Sequence, residues 1–166
     1  MTPADLVVTR QGARFLGRRL PCSIGKGGLS NTKREGDGAT PLGTHRIVCL
    51  LYRPDRMACP TDWAVPITPG DLWSDDPTHE DYNLMVRAPY PYSHEKLRRA
   101  DPLYDAVLIT DWNWPFAERG HGSAIFLHQW RKPRHPTEGC VAFSREDLLW
   151  LLPRVRLDTR LIVKGA

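Results

Sequence analysis

The chemistry most clearly written in this sequence belongs to a histidine and a cysteine twelve residues apart, His128 and Cys140. A free thiol has an ordinary pKa of roughly 8.5, and a neighbouring imidazole can lower it and take the proton. In that arrangement Cys140 is the nucleophile and His128 its base. The run Ser123-Ala-Ile-Phe-Leu-His128 reads as a buried strand ending on the histidine, and residues 129–139 form a basic loop able to fold back onto it. Gly139 lies directly before Cys140, where a residue without a side chain allows close backbone approach and unusual φ/ψ. The backbone N–H groups of Gly139 and Cys140 are candidates for an oxyanion hole, a device worth about 3 kcal/mol at a transition state. The bland alternative is a buried small cysteine beside a satisfied core histidine. The setting Pro136-Thr-Glu-Gly-Cys-Val-Ala142, a loop between buried strands, favours the reactive reading.

Other chemistries fit less well. His79, His94, His121, His128, His135 and Cys140 show no His-Glu-x-x-His pattern and no tight Cys/His spacing, so neither a metal nor another cofactor is expected. The glycine-rich stretch 25–38 lacks the Gly-Lys-Ser/Thr ending of a phosphate loop. Papain-like peptidases place the cysteine before the histidine, the reverse of the order here. A sortase-like reading keeps the order but expects a wider separation and a catalytic arginine on a later strand. Net charge is +4 with a pI near 9.0, yet the basic residues fall in scattered pairs such as Arg18-Arg19, Lys33-Arg34 and Arg98-Arg99. That distribution argues against nucleic acid and suits a small acidic ligand. Cys22, Cys49, Cys59 and Cys140 form no Cys-x-x-Cys pair and imply no cystine framework. No apolar run approaches membrane length, so no membrane partner is expected. Residues 1–10 carry no leader pattern, which points to the cytoplasm; a chain trimmed of a leader would be periplasmic.

The elements that must position these residues read as mainly β. A length of 166 residues fits one domain spanning 1–166, and 15 prolines and 13 glycines spread along it read as turns between short strands. Leu6–Thr9, Ala13–Leu16 and Leu20–Ile24 read as a meander, and Thr44–Tyr52 as a strand after the turn at Thr40-Pro-Leu-Gly43. Residues 53–83 show no period and read as a long surface excursion, with Trp63 and Trp73 as possible site walls. Leu84–Arg87 is a candidate strand, and Ser93–Arg99 is expected to be a short helix capped by Ser93. The apolar run Asp105–Thr110 predicts a strand buried on both faces. Ser144 caps an expected helix over Leu148–Leu152, and Thr159–Val163 closes the domain as a strand.

Two landmarks resemble those of the L,D-transpeptidase (YkuD-type) catalytic domain family. One is the strand-end His128 followed by Thr137-Glu-Gly-Cys-Val141; the other is Ala39-Thr-Pro-Leu-Gly-Thr44, similar to the family's Thr-Pro-x-Gly turn. The likeness covers roughly residues 20–50 and 104–163. Glu138 stands where the common signature has a second histidine, and Ala142 where Arg or Asn often follows. His135 lies close enough in sequence to replace that histidine, though a solvated loop histidine is the more natural reading.

The resemblance implies an L,D-transpeptidase-like β-sandwich or barrel with two or three short helices and long active-site loops. It implies a Cys140–His128 acyl-transfer mechanism, with Gly139 in the catalytic signature and Thr137, by its place in that signature, as a substrate-binding candidate. The substrate class would be a peptidoglycan stem tetrapeptide or muropeptide ending in diaminopimelate–D-alanine. Arg131, Lys132 and Arg134 are then candidates to hold its carboxylates, with Lys26, Lys33 and Arg34 as weaker ones. A cytoplasmic setting favours L,D-carboxypeptidase trimming in muropeptide recycling over cross-linking or D-amino-acid exchange. A carbapenem is an expected covalent inhibitor. A non-catalytic wall-peptide-binding domain is the reading from another class.

Overall fold

The computed structural model describes residues 1–165. Its first strands are β1 (Leu6–Thr9), β2 (Gly12–Phe15), β3 (Arg18–Leu20) and β4 (Cys22–Ser23), followed by the short pair β5 (Leu29–Ser30) and β6 (Thr40–Pro41). The long β7 (Gly43–Tyr52) runs through the centre, with β8 (Ala64–Pro66) paired to it. A separate three-stranded sheet is made by β9 (Asp71–Ser74), β10 (Met85–Arg87) and β11 (His94–Lys96). The chain then adds β12 (Ala106–Thr110), β13 (Phe126–Gln129), β14 (Val141–Phe143), the helix α1 (Arg145–Leu151) and β15 (Arg160–Val163).

The main sheet follows the order β3-β2-β1-β15-β7-β12-β13-β14-β4. Its two ends, β3 and β4, are separated in sequence by Pro21 alone, so the sheet nearly closes on itself. Successive side chains in a strand point to opposite faces, so a closing sheet needs apolar residues on both wherever both are covered. β12 meets that demand, with all five residues buried. Leu108 joins a core with Leu6, Val8, Phe15, Leu50, Leu127 and Val141, capped by Leu148 and Leu151 of α1. Val107 and Ile109 join a second cluster with Leu51, Trp73, Leu97, Tyr104 and Phe126 on the other face. Burying one such side chain fully contributes about 2 kcal/mol.

The expected mainly β architecture is found, with one α-helix and a 3-10 turn over Pro102–Tyr104. Ser144 caps α1 by accepting from the Asp147 N–H at 3.0 Å. The segment Ser93–Arg99 departs from expectation. His94–Lys96 is a strand pairing with Leu72–Ser74, because alternation over Glu95 and Leu97 serves the second cluster better than a short amphipathic turn. The excursion 53–83 is also more ordered than its composition implies. Trp73 is 4% exposed, sits edge-on to Phe126 at 5.0 Å and donates to Asn83 Oδ1 at 3.0 Å.

Candidate active site

The pleat of two strands places the thiol and the imidazole on one face of the sheet. β13 and β14 run parallel with Leu127 opposite Val141 and His128 opposite Ala142. Leu127 and Val141 both face the core against α1. Phe126, His128 and Cys140, one residue away on each strand, therefore share the opposite face, where Phe126 and Cys140 join the second cluster.

Both reactive groups are enclosed: Cys140 is 8% exposed and His128 5%. The Cys140 thiol donates to the Ala124 carbonyl at 3.1 Å, and its sulfur accepts from the Phe126 N–H at 3.4 Å. His128 Nδ1 lies 2.7 Å from the Gln129 carbonyl oxygen. A carbonyl only accepts, so Nδ1 carries the proton and Nε2 is left as the basic nitrogen. Tyr104 stacks edge-on to the imidazole with ring centroids 5.2 Å apart.

Burial sets the charge state. It pushes the Cys140 thiol up to about 12, and the nearby Glu95 charge adds to the effect, while the Phe126 amide and Lys33 oppose it. Burial likewise pulls His128 down to about 4. At neutral pH the pair is thus a thiol and a neutral imidazole, and among the described residues no hydrogen bond joins them.

Gly139 and the Thr40 turn form one clamp. Gly139 has φ +141°, and a Cβ there would meet the Ala39 carbonyl oxygen at 2.9 Å. Thr40 is fully buried; its hydroxyl donates to the Gly139 carbonyl at 2.7 Å and accepts from the Gly25 N–H at 2.8 Å. Thr137 works inside the loop: its hydroxyl donates to the Cys140 carbonyl at 2.6 Å and accepts from the Gly139 N–H at 3.2 Å. That bond corrects the expected oxyanion hole, since the Gly139 amide is already engaged.

The basic loop residues diverge. Arg131, Lys132 and Arg134 are all exposed. Arg131 lies near enough to Asp101 to help hold its carboxyl low, after the stronger effect of Arg99. Arg134 turns away to line a groove with Arg14 and Lys164. Glu138 is exposed and pairs with Lys26 at 2.7 Å. His135 is half-buried, and its N–H donates to the Lys132 carbonyl.

Tyr104, Glu95, Lys33 and Ala124 also bear on the pair. Tyr104 donates to Glu95 Oε2 at 2.5 Å. Burial raises the Glu95 carboxyl. The Lys33 side chain is 3% exposed and bonded to Asp37 at 2.5 Å. The alternation His94-Glu95-Lys96-Leu97 was the signal for Glu95, hidden by the capping pattern at Ser93. Ala124 had no signal: it is a non-glycine residue at φ +51°, and that conformation, costly for a side chain, aims its carbonyl at the thiol.

A cysteine at the end of a loop between parallel strands, with a histidine on the same face of a nearly closed β-sheet, is the arrangement found here. The family model described as the L,D-transpeptidase catalytic domain (YkuD) matches residues 3–163, and the chain belongs to that family. An L,D-transpeptidase from Mycobacterium smegmatis is similar in structure, with 14% sequence identity and a TM-score of 0.44. The superposition covers 96% of this chain and 57% of that one, so this chain spans little more than half its length. A comparison with curated proteins gives no match.

Proposed function

We propose that the protein performs cysteine-dependent acyl transfer at the L,D bond between diaminopimelate and terminal D-alanine of a peptidoglycan stem tetrapeptide or muropeptide. Cys140 Sγ attacks the diaminopimelate carbonyl, His128 Nε2 takes the thiol proton, and that proton passes to the nitrogen of departing D-alanine. Water then resolves the thioester, giving a tripeptide carboxylate and regenerating the thiol. The observation that carries this reading is the family signature, with its cysteine and the imidazole's basic Nε2 on one sheet face.

The net reaction is then L,D-carboxypeptidase trimming, and recycling of muropeptides in the cytoplasm is its natural setting. Arg131 and Lys132, exposed on the loop beside the pair, are the groups we assign to substrate carboxylates. Incubation with a free or disaccharide tetrapeptide, read by mass spectrometry, tests the reading. Tripeptide alone supports trimming; a dimer or a D-amino-acid exchange product replaces it with transpeptidation; intact substrate sinks both. Cell fractionation of the native protein tests the compartment.

The resting neutrality of the pair favours one alternative, a wall-peptide-binding domain without turnover. Tetrapeptide binding by an enzyme-silent protein whose Cys140 resists carbapenem acylation would establish it.

A further inference from the structure

A second feature lies away from Cys140, on the outer side of the β1–β2–β3 corner. A groove of about 870 Å³ runs there over Pro3, Val7, Leu20 and Pro21. Arg14, Arg19, Arg134 and Lys164 stand around it, and no Asp or Glu lines it. Among the described residues none of these four cations makes an ion pair or a side-chain hydrogen bond, although most other arginines of the chain do. Arg14 and Arg19 are directly opposite each other on β2 and β3, in the row that begins at Val7. Like charges facing each other across strands are destabilising, and here no counter-charge relieves them. Arg134 completes the ring from the loop that joins His128 to Cys140, held there with φ +56°.

We propose that this groove binds an acidic peptide segment in which carboxylate side chains alternate with small apolar ones. Four cations with no side-chain partner among the described residues make the groove complementary to an anionic occupant. The apolar floor requires that the anion also carry apolar surface, which a bare phosphate polymer does not. No Trp, Tyr or Phe lines the groove, so the stacking platform of single-stranded nucleic acid is missing. The site is concave, which suits a chain segment better than a flat lipid surface. Guanidinium forks match carboxylates in pairs, and small apolar side chains fill the floor between them. The proposal uses neither Cys140 nor His128, so it stands or falls independently of the acyl-transfer reading.

The test is a titration of Cys140→Ala protein with a fluorescent hexapeptide alternating glutamate and alanine, followed by anisotropy. Binding is expected to weaken with added salt and to vanish when glutamine replaces glutamate in the peptide. Arg14 and Arg19 are exposed, so the double variant Arg14→Ala/Arg19→Ala keeps the fold, and it should bind at least about tenfold more weakly, the loss of one or two charge-assisted contacts. Unchanged binding by that variant, or no binding of the acidic peptide at all, overturns the proposal. Tighter binding of single-stranded DNA or of phosphatidylglycerol vesicles, abolished by the same variant, also overturns it by giving the groove to a different anion.

Discussion

The same loop serves two regions that differ in almost every physical respect. At its end, Gly139 and Cys140 are packed against Ala39, Thr40 and Ile125, and the reactive groups are neutral because burial disfavours their charged forms. At its middle, Arg134 stands in an open groove among unpaired cations. The enclosed region leaves no room for a Cβ at Gly139, whereas the open one is lined mostly by exposed residues. In the account proposed, reactivity depends on packing on one side of the loop and recognition on charge on the other.

Changes of shape should separate the regions most sharply. Gly139→Ala puts a side chain at φ +141° and against a backbone oxygen at 2.9 Å, so a loss of more than about 3 kcal/mol is expected by chemical denaturation, together with loss of thiol reactivity. The next effect is one of pH. His128 has a folded pKa of about 4 against an ordinary value of 6.5. Between those values the unfolded chain binds a proton that the folded one does not, so stability falls as pH drops through that window, by up to about 3 kcal/mol. His128→Gln should flatten that part of the stability profile relative to the parent protein; parallel profiles would show that the imidazole is not held neutral.

Smaller effects sharpen the contrast. Thr40→Val removes the acceptor of the Gly25 N–H and the donor to the Gly139 carbonyl, both buried, and should cost about 2 kcal/mol. Arg14→Ala, in the open groove, should change stability by no more than about 0.5 kcal/mol. Equal losses at Thr40 and Arg14 would erase the distinction between a packed site and a charged one.

Much of the enclosed region was legible in the sequence because its constraints are local. The strand-end histidine, the glycine before the cysteine and the Thr-Pro-Leu-Gly turn each advertise a backbone requirement in their own residues. That the two landmarks touch was not legible, since Thr40 and Gly139 are 99 residues apart and meet only through sheet closure. Glu95 was misplaced because Ser93 offers a helix cap, while the pairing that makes a strand of His94–Lys96 is supplied by Asp71–Ser74 from the excursion. Arg134 was grouped with Arg131 and Lys132 as a candidate for substrate carboxylates, whereas the fold sets it at φ +56° and at the separate groove. Thr137 was assigned to substrate by its place in the signature, whereas its hydroxyl binds the loop itself.

The central claim is that Cys140 is the nucleophile and that His128 activates it. Intact-protein mass spectrometry after incubation with a carbapenem, followed by peptide mapping, tests it most directly. The account predicts one adduct, on Cys140, lost in Cys140→Ala and formed much more slowly in His128→Gln, with Cys22, Cys49 and the exposed Cys59 unmodified. An adduct on Cys59, or tetrapeptide trimming that survives Cys140→Ala, would contradict it.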